Sequence, residues 1–284
     1  MSPNLFDSPN KTLDHIARSA PPAVIKERIT AVAVAMGDAA FKERVAREVV
    51  ERTRPQEAIP DIYGHYRPVV QDGIVFFLSQ VSRTRLVELA VSQLKMDPEA
   101  NTSQRLIELA KQFPTLHKLG QIIARNPNID PGVKKWLVNL ENGRYGTSPD
   151  GITARIGHQI EQSQNRGKVQ VHPVIYSEAS VSAVVAFDWQ EPTSAKTAEG
   201  VFKVLKPGIR QHLDEELVIL EKTAAFFETH RERYHLRDFR FLDVFHEVRE
   251  MLINEIDLPA EQIHLVEAAR FYEDMDAIRV PQLL

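Results

Sequence analysis

Gly200-Val201-Phe202-Lys203-Val204-Leu205-Lys206-Pro207-Gly208-Ile209 is a β-branched and aromatic run closed by Pro-Gly, the pattern of a strand ending in a turn. Alternation along such a strand places Val201, Lys203 and Leu205 on one face. A lysine flanked there by apolar neighbours calls for an anionic partner, because an unpaired ammonium beside a sheet is costly. Plain solvation at a sheet edge is the ordinary alternative. After Ile209 the spacing of Leu213, Leu217, Leu220, Ala224 and Phe227 predicts a helix with one apolar face.

Two more β-branched runs precede this one, residues 169–175 and 180–187, behind the polar stretch Gln162-Ser163-Gln164-Asn165-Arg166-Gly167. Upstream of about Ser163 the apolar spacing is helical throughout, over residues 23–52, 68–95, 103–112, 114–125, 131–141 and 149–161, with Pro114 forcing a break. Downstream, a helix is expected from Asp238, Pro259 interrupts it, and another helix follows. Ile278-Arg279-Val280-Pro281 then reads as the start of a further strand. The expected class is α+β: a helical region over 1–111, a helical segment over 112–163, and a small antiparallel sheet with helices over 164–284.

Composition narrows the function classes. The 284 residues are 43% hydrophobic and 26% charged, a globular balance, and the formal net charge of −4 argues against nucleic acid as a bulk partner. With no cysteine, thiol nucleophiles, zinc thiolate sites and disulfides are excluded. The ten histidines are scattered, and His230 and His235, five apart, do not share a helical face, so no metal site is assigned. Met1-Ser2-Pro3-Asn4-Leu5-Phe6-Asp7 lacks the basic and apolar segments of a secretory signal, and Ile74-Val75-Phe76-Phe77-Leu78 is far short of the ~20 residues that span a bilayer. Cytoplasmic residence, free or peripheral to a membrane, is the expectation.

Three separated motifs then occur in one order. Lys118-Leu119-Gly120-Gln121 follows Phe113-Pro114-Thr115; Lys203 heads the strand and turn quoted above; and Glu255-Ile256-Asp257 precedes Glu261. Together they resemble the AarF/UbiB family of atypical kinase-like proteins associated with ubiquinone biosynthesis, through its K-x-G-Q signature, its lysine strand and its E-x-D motif. The resemblance covers roughly Gln112 onward, while residues 1–111 carry no motif that can be assigned a role. It implies a kinase-like N-lobe in which Lys203 holds the α/β-phosphates of ATP or ADP and Glu261 pairs with Lys203. Val201 and Ala183 would line the nucleotide, with magnesium as the family's metal. Lys118, Gly120 and Gln121 would lie on a helix covering the site, with Glu255 and Asp257 facing it. Such a lid favours ATP hydrolysis or small-molecule phosphorylation over protein phosphorylation. Two residues apart, Glu255 and Asp257 cannot form one chelating face on an unbroken helix.

The sequence also departs from that pattern. Where the family has an alanine-rich phosphate loop, Ser177-Glu178-Ala179-Ser180-Val181 places a carboxylate; its repulsion of a phosphate at contact is worth a few kcal/mol at an effective dielectric of ~20. Val201 stands where the family has alanine and narrows the adenine slot. The catalytic-loop aspartate, asparagine and second aspartate that bring magnesium to the phosphates are C-lobe residues, and the C-lobe is absent from these residues. The resemblance therefore implies a truncated or split member, inactive as this chain alone, with a C-lobe polypeptide in trans as a partner. A non-catalytic regulatory or interaction module is the alternative.

Overall fold

The computed structural model describes residues 20–59, 61–125, 149–163, 168–190, 197–235 and 240–283. The helix expected over 131–141 and the polar boundary residues 164–167 lie outside them. The chain packs as two compact units, one of residues 1–145 with 211–246 and one of residues 146–210 with 247–284. The architecture is α+β, with all described strands in one three-stranded antiparallel sheet.

The first unit is helical. It holds α1 (Pro22–Met36), α2 (Asp38–Thr53), α3 (Arg67–Gln80), α4 (Arg83–Lys95), α5 (Thr102–Gln112) and α6 (Pro114–Arg125). Most of α8 (Ile209–Thr229) also belongs here. The single helix expected over 23–52 is two: Gly37 takes φ +82°, a conformation that stops a helix and that glycine adopts without a Cβ penalty. The helix expected over 68–95 is likewise broken. Val81 and Ser82 turn extended, and the Ser82 N–H donates to Glu215 Oε1 at 2.5 Å instead of continuing the helical ladder. Ile25, Ile29, Phe41, Val45, Leu78, Leu86 and Leu89 are the centre of the core these helices share.

The second unit places α7 (Pro149–Gln162) against a meander of β1 (Val169–Glu178), β2 (Ser182–Gln190) and β3 (Thr197–Leu205). Ile152 and Ile156 of α7 pack with Ala183, Val185 and Val204 on one sheet face. On that same face Phe187 and Phe202 stack at 4.1 Å between ring centres. Gly200, paired with Phe187, makes room for that ring: a Cβ there would approach Phe187 Cε1 to 2.8 Å. The unit continues with the last part of α9 (Phe241–Ile256) and all of α10 (Leu258–Phe271). The strand expected at Ile278–Pro281 does not form. A strand exists only through a ladder with a neighbour, and the Ile278 N–H is taken by Met275 C=O in a turn at 2.9 Å.

Candidate functional site

Lys203 stands in β3 opposite Val184 of β2. Residues paired directly across two strands share a face, so Ala183 lies with Val204 on the face that α7 covers, and Lys203 points to the other side. There Lys203 Nζ meets Glu261 Oε2 at 2.5 Å, with 42% and 44% of the two side chains exposed. Val201, on the same face two residues earlier, is 60% exposed. Leu205, which alternation also assigns to that face, is buried where the strand ends.

Glu261 owes its position to the start of α10. The Asp257 side chain accepts from the Ala260 N–H at 3.1 Å, Pro259 occupies the first turn, and the Glu261 N–H donates to Asp257 C=O at 3.1 Å. An aspartate cap with proline just inside fixes where the helix begins, and Glu261 then falls one turn in, at Lys203. The two acids of the E-x-D motif therefore sit on different elements. Glu255 is in the last turn of α9, Asp257 is the cap of α10, and the break between them removes the geometric bar that a continuous helix imposes.

The turn joining β1 and β2 is tied down on several sides. The Ala179 N–H donates to Ser182 C=O at 2.8 Å, the Lys206 N–H to Val181 C=O at 2.9 Å, and Ser180 Oγ to Glu255 Oε2 at 3.4 Å. Glu178, whose carboxylate the sequence sets against a phosphate, is ion-paired: Lys206 Nζ meets its Oε1 at 2.9 Å, and both side chains are nearly buried. Burial holds the Lys206 ammonium below the ordinary lysine range, and the bond to Glu178 only partly offsets it. Neither Ser180 nor Lys206 stands out in the sequence reading. Alternation alone would have placed Glu178, paired with Ala183, on the face away from Lys203.

Ala183, the other residue expected at the nucleotide, is fully buried against α7 on the sheet face opposite Lys203. Lys118 and Gly120 lie buried in α6 and Gln121 is half-buried. A groove of about 460 Å³ runs beside β3, between Arg155, Ile156 and Ile160 of α7 and Leu258 and Pro259 of α10. Among the described residues no group of three or more His, Asp or Glu side chains is arranged to hold a metal ion. No described helix is long and apolar enough to cross a membrane.

Residues 161–284 match the model of the ABC1 atypical kinase-like domain. The chain is similar to a "Probable protein kinase UbiB" of Xylella fastidiosa (strain M12), 27% identical over 207 residues that cover 70% of this chain and 36% of that protein. A protein of the same name from Glaesserella parasuis serovar 5 (strain SH0165) is 20% identical over 185 residues, covering 62% of this chain and 32% of its own length. The chain thus spans about a third of the length of these curated relatives. No solved structure gives a significant match.

Proposed function

We propose that this chain, whose residues 161–284 match the ABC1 atypical kinase-like domain, is a member of the AarF/UbiB family and binds the phosphates of ATP or ADP at Lys203. Glu261 orients the ammonium, and the two residues form the nucleotide-holding part of an ATP-dependent phosphoryl transferase or ATPase. The observation that carries this reading is the ion pair itself, on the open face of the sheet beside exposed Val201. A pair this exposed adds only about 0–1 kcal/mol to stability. Folding therefore does not account for it, whereas a phosphate grip does, since an ammonium has three N–H donors and Glu261 Oε2 accepts one. Lys203 suits an anionic phosphate; among the described residues no group of three or more His, Asp or Glu side chains is placed to hold a metal ion. In this reading Lys118, Gly120 and Gln121 of α6, and Glu255 and Asp257 at the break between α9 and α10, keep the roles that the family motifs imply. The substrate is then water or a small molecule, in support of ubiquinone or lipid metabolism, and the location is cytoplasmic or peripheral to a membrane.

The test is titration of the purified 284-residue chain and its Lys203→Met variant with a fluorescent ADP analogue. Loss of a charge-assisted phosphate contact should weaken binding about tenfold, with an unchanged melting temperature. Equal affinity in the two proteins would sink the reading. One observation favours the alternative of a non-catalytic interaction module: α10 buries none of its residues and exposes Ile263, Val266 and Phe271. That module predicts no nucleotide binding in either protein.

A further inference from the structure

The break between α5 and α6 is crossed by a buried ion pair that belongs to neither helix. Arg85, on α4, donates from Nη2 to the Gln112 carbonyl at 2.8 Å, at the C-terminal end of α5, and from Nη1 to Glu215 at 3.0 Å. The same Nη2 donates to Glu216 of α8, which is fully buried. The other carboxylate oxygen of Glu216 accepts the Thr115 N–H at 2.9 Å, in the first turn of α6. The guanidinium lies 4.6 Å over the Phe113 ring, which packs edge-on to Phe77 at 5.7 Å.

Each contact answers a need set by the sequence. The His117 N–H donates to Phe113 C=O, so Phe113 occupies the capping position of α6, and its ring offers no acceptor. Pro114 has no N–H, which makes that of Thr115 the first amide of the helix in need of a partner. Glu216 caps it from outside, with its charge where the helix dipole favours an anion; Arg85 places its charge at the end of α5, where a cation is favoured. Burial pushes the Glu216 carboxyl up, against the opposing pull of Arg85 and the Thr115 amide. For Glu215 burial also pushes up, but its bonds from Arg85 and the Ser82 N–H outweigh it and leave that carboxyl below the usual range. An apolar pair of similar volume would stabilise the unit as well as buried charges do. What apolar side chains cannot do is hold an amide and a carbonyl at a helix break.

We propose that Glu216, braced by Arg85, is a positioning residue for α6: it fixes the first turn of the helix that presents Lys118, Gly120 and Gln121. The functional weight of this inference rests on the reading of α6 as the covering helix; the structural claim does not. α8 follows the lysine strand directly in the chain, so one segment supplies both Lys203 and the residue that seats α6.

Amide hydrogen exchange on the full 284-residue chain tests it, in Glu216→Met, Glu216→Gln and the double variant Arg85→Met/Glu216→Met. In Glu216→Met the first-turn amides of α6 should exchange about tenfold faster, as expected for a lost helix cap, while α4 and the rest of α8 keep their protection. Glu216→Gln, which keeps an acceptor oxygen, should restore most of it. Should Glu216→Met fail to fold, the double variant removes the guanidinium as well and leaves the partly exposed Glu215 bonded to the Ser82 N–H; the first turn of α6 should still exchange fast in it. Unchanged exchange at α6 overturns the proposal, as does a loss spread evenly over α4, α6 and α8. A Lys203→Met variant that binds nucleotide normally would remove the nucleotide reading and leave this result untouched.

Discussion

At the scale of single residues, Lys203 could be read because a lysine amid β-branched neighbours in a strand is conspicuous, whereas Glu261 is one acid among many and was singled out only through the family resemblance. Arg85, Glu215 and Glu216 gave no local sign, being brought together from positions 130 or more apart. Glu178 was noticed for its charge, but its partner was not, since Lys206 reaches it only once β2 lies between β1 and β3. Removing one charge from that nearly buried pair, by Glu178→Gln or Lys206→Met, should cost up to about 3 kcal/mol. Chemical denaturation checks this, with the double Met variant expected to recover most of the loss. Tyr234 supplies a prediction with pH. Burial and the bond from its hydroxyl to Asp72 at 2.8 Å raise it to about 12. The folded state therefore keeps a proton that the unfolded chain releases near pH 10. The stability this contributes is whole below about pH 10 and is lost as pH rises towards about 12. Tyr234→Phe should flatten that alkaline limb in melting curves, and an unchanged slope would show that the hydroxyl is not coupled to folding.

At the scale of elements, periodicity located the described helices and the three strands, but it overran two breaks. Apolar spacing continues in phase across Gly37 and across Val81-Ser82, so the pattern alone cannot stop there; a positive φ in one case and a tertiary bond to Glu215 in the other do so. The reverse holds at Ile278, where β-branched composition suggests a strand and a turn bond is formed instead. One helix start is signalled locally. Asn101 accepts from the Gln104 N–H at 2.9 Å while the Gln104 side chain accepts from the Asn101 N–H, a reciprocal capping box opening α5. Asn101→Ala should therefore cost about 1 kcal/mol, read as a lowered denaturation midpoint at constant slope. Gly200→Ala tests β3 in the same way. Its Cβ would enter the Phe187 ring, and the overpacking should cost about 1–3 kcal/mol.

At the scale of the whole molecule, packing does not follow chain order: residues 211–246 join the N-terminal helices, while residues 247–284 join the sheet. Local patterns divide the chain in order, into 1–111, 112–163 and 164–284, because they report what a segment is and not which distant segment covers it. The site shares this property. Its two charged members, 58 residues apart, come from β3 and α10, and the cap at Asp257 decides whether they meet. Gripping phosphates and transferring one are separable tasks, since transfer also needs carboxylates that bring a metal to the phosphates and a group that orients the attacking oxygen. The described residues contain no cluster of three or more His, Asp or Glu side chains able to hold a metal, and the matched segment covers only about a third of each of the two relatives compared. The expected outcome for the purified 284-residue polypeptide is nucleotide binding that depends on Lys203, with no sustained ATP hydrolysis. Steady-state phosphate release with magnesium, measured on this chain and on Lys203→Met, checks both halves. Turnover that survives purification and disappears in the variant would mean that these residues, by themselves, place a metal and a nucleophile against the phosphates that Lys203 holds.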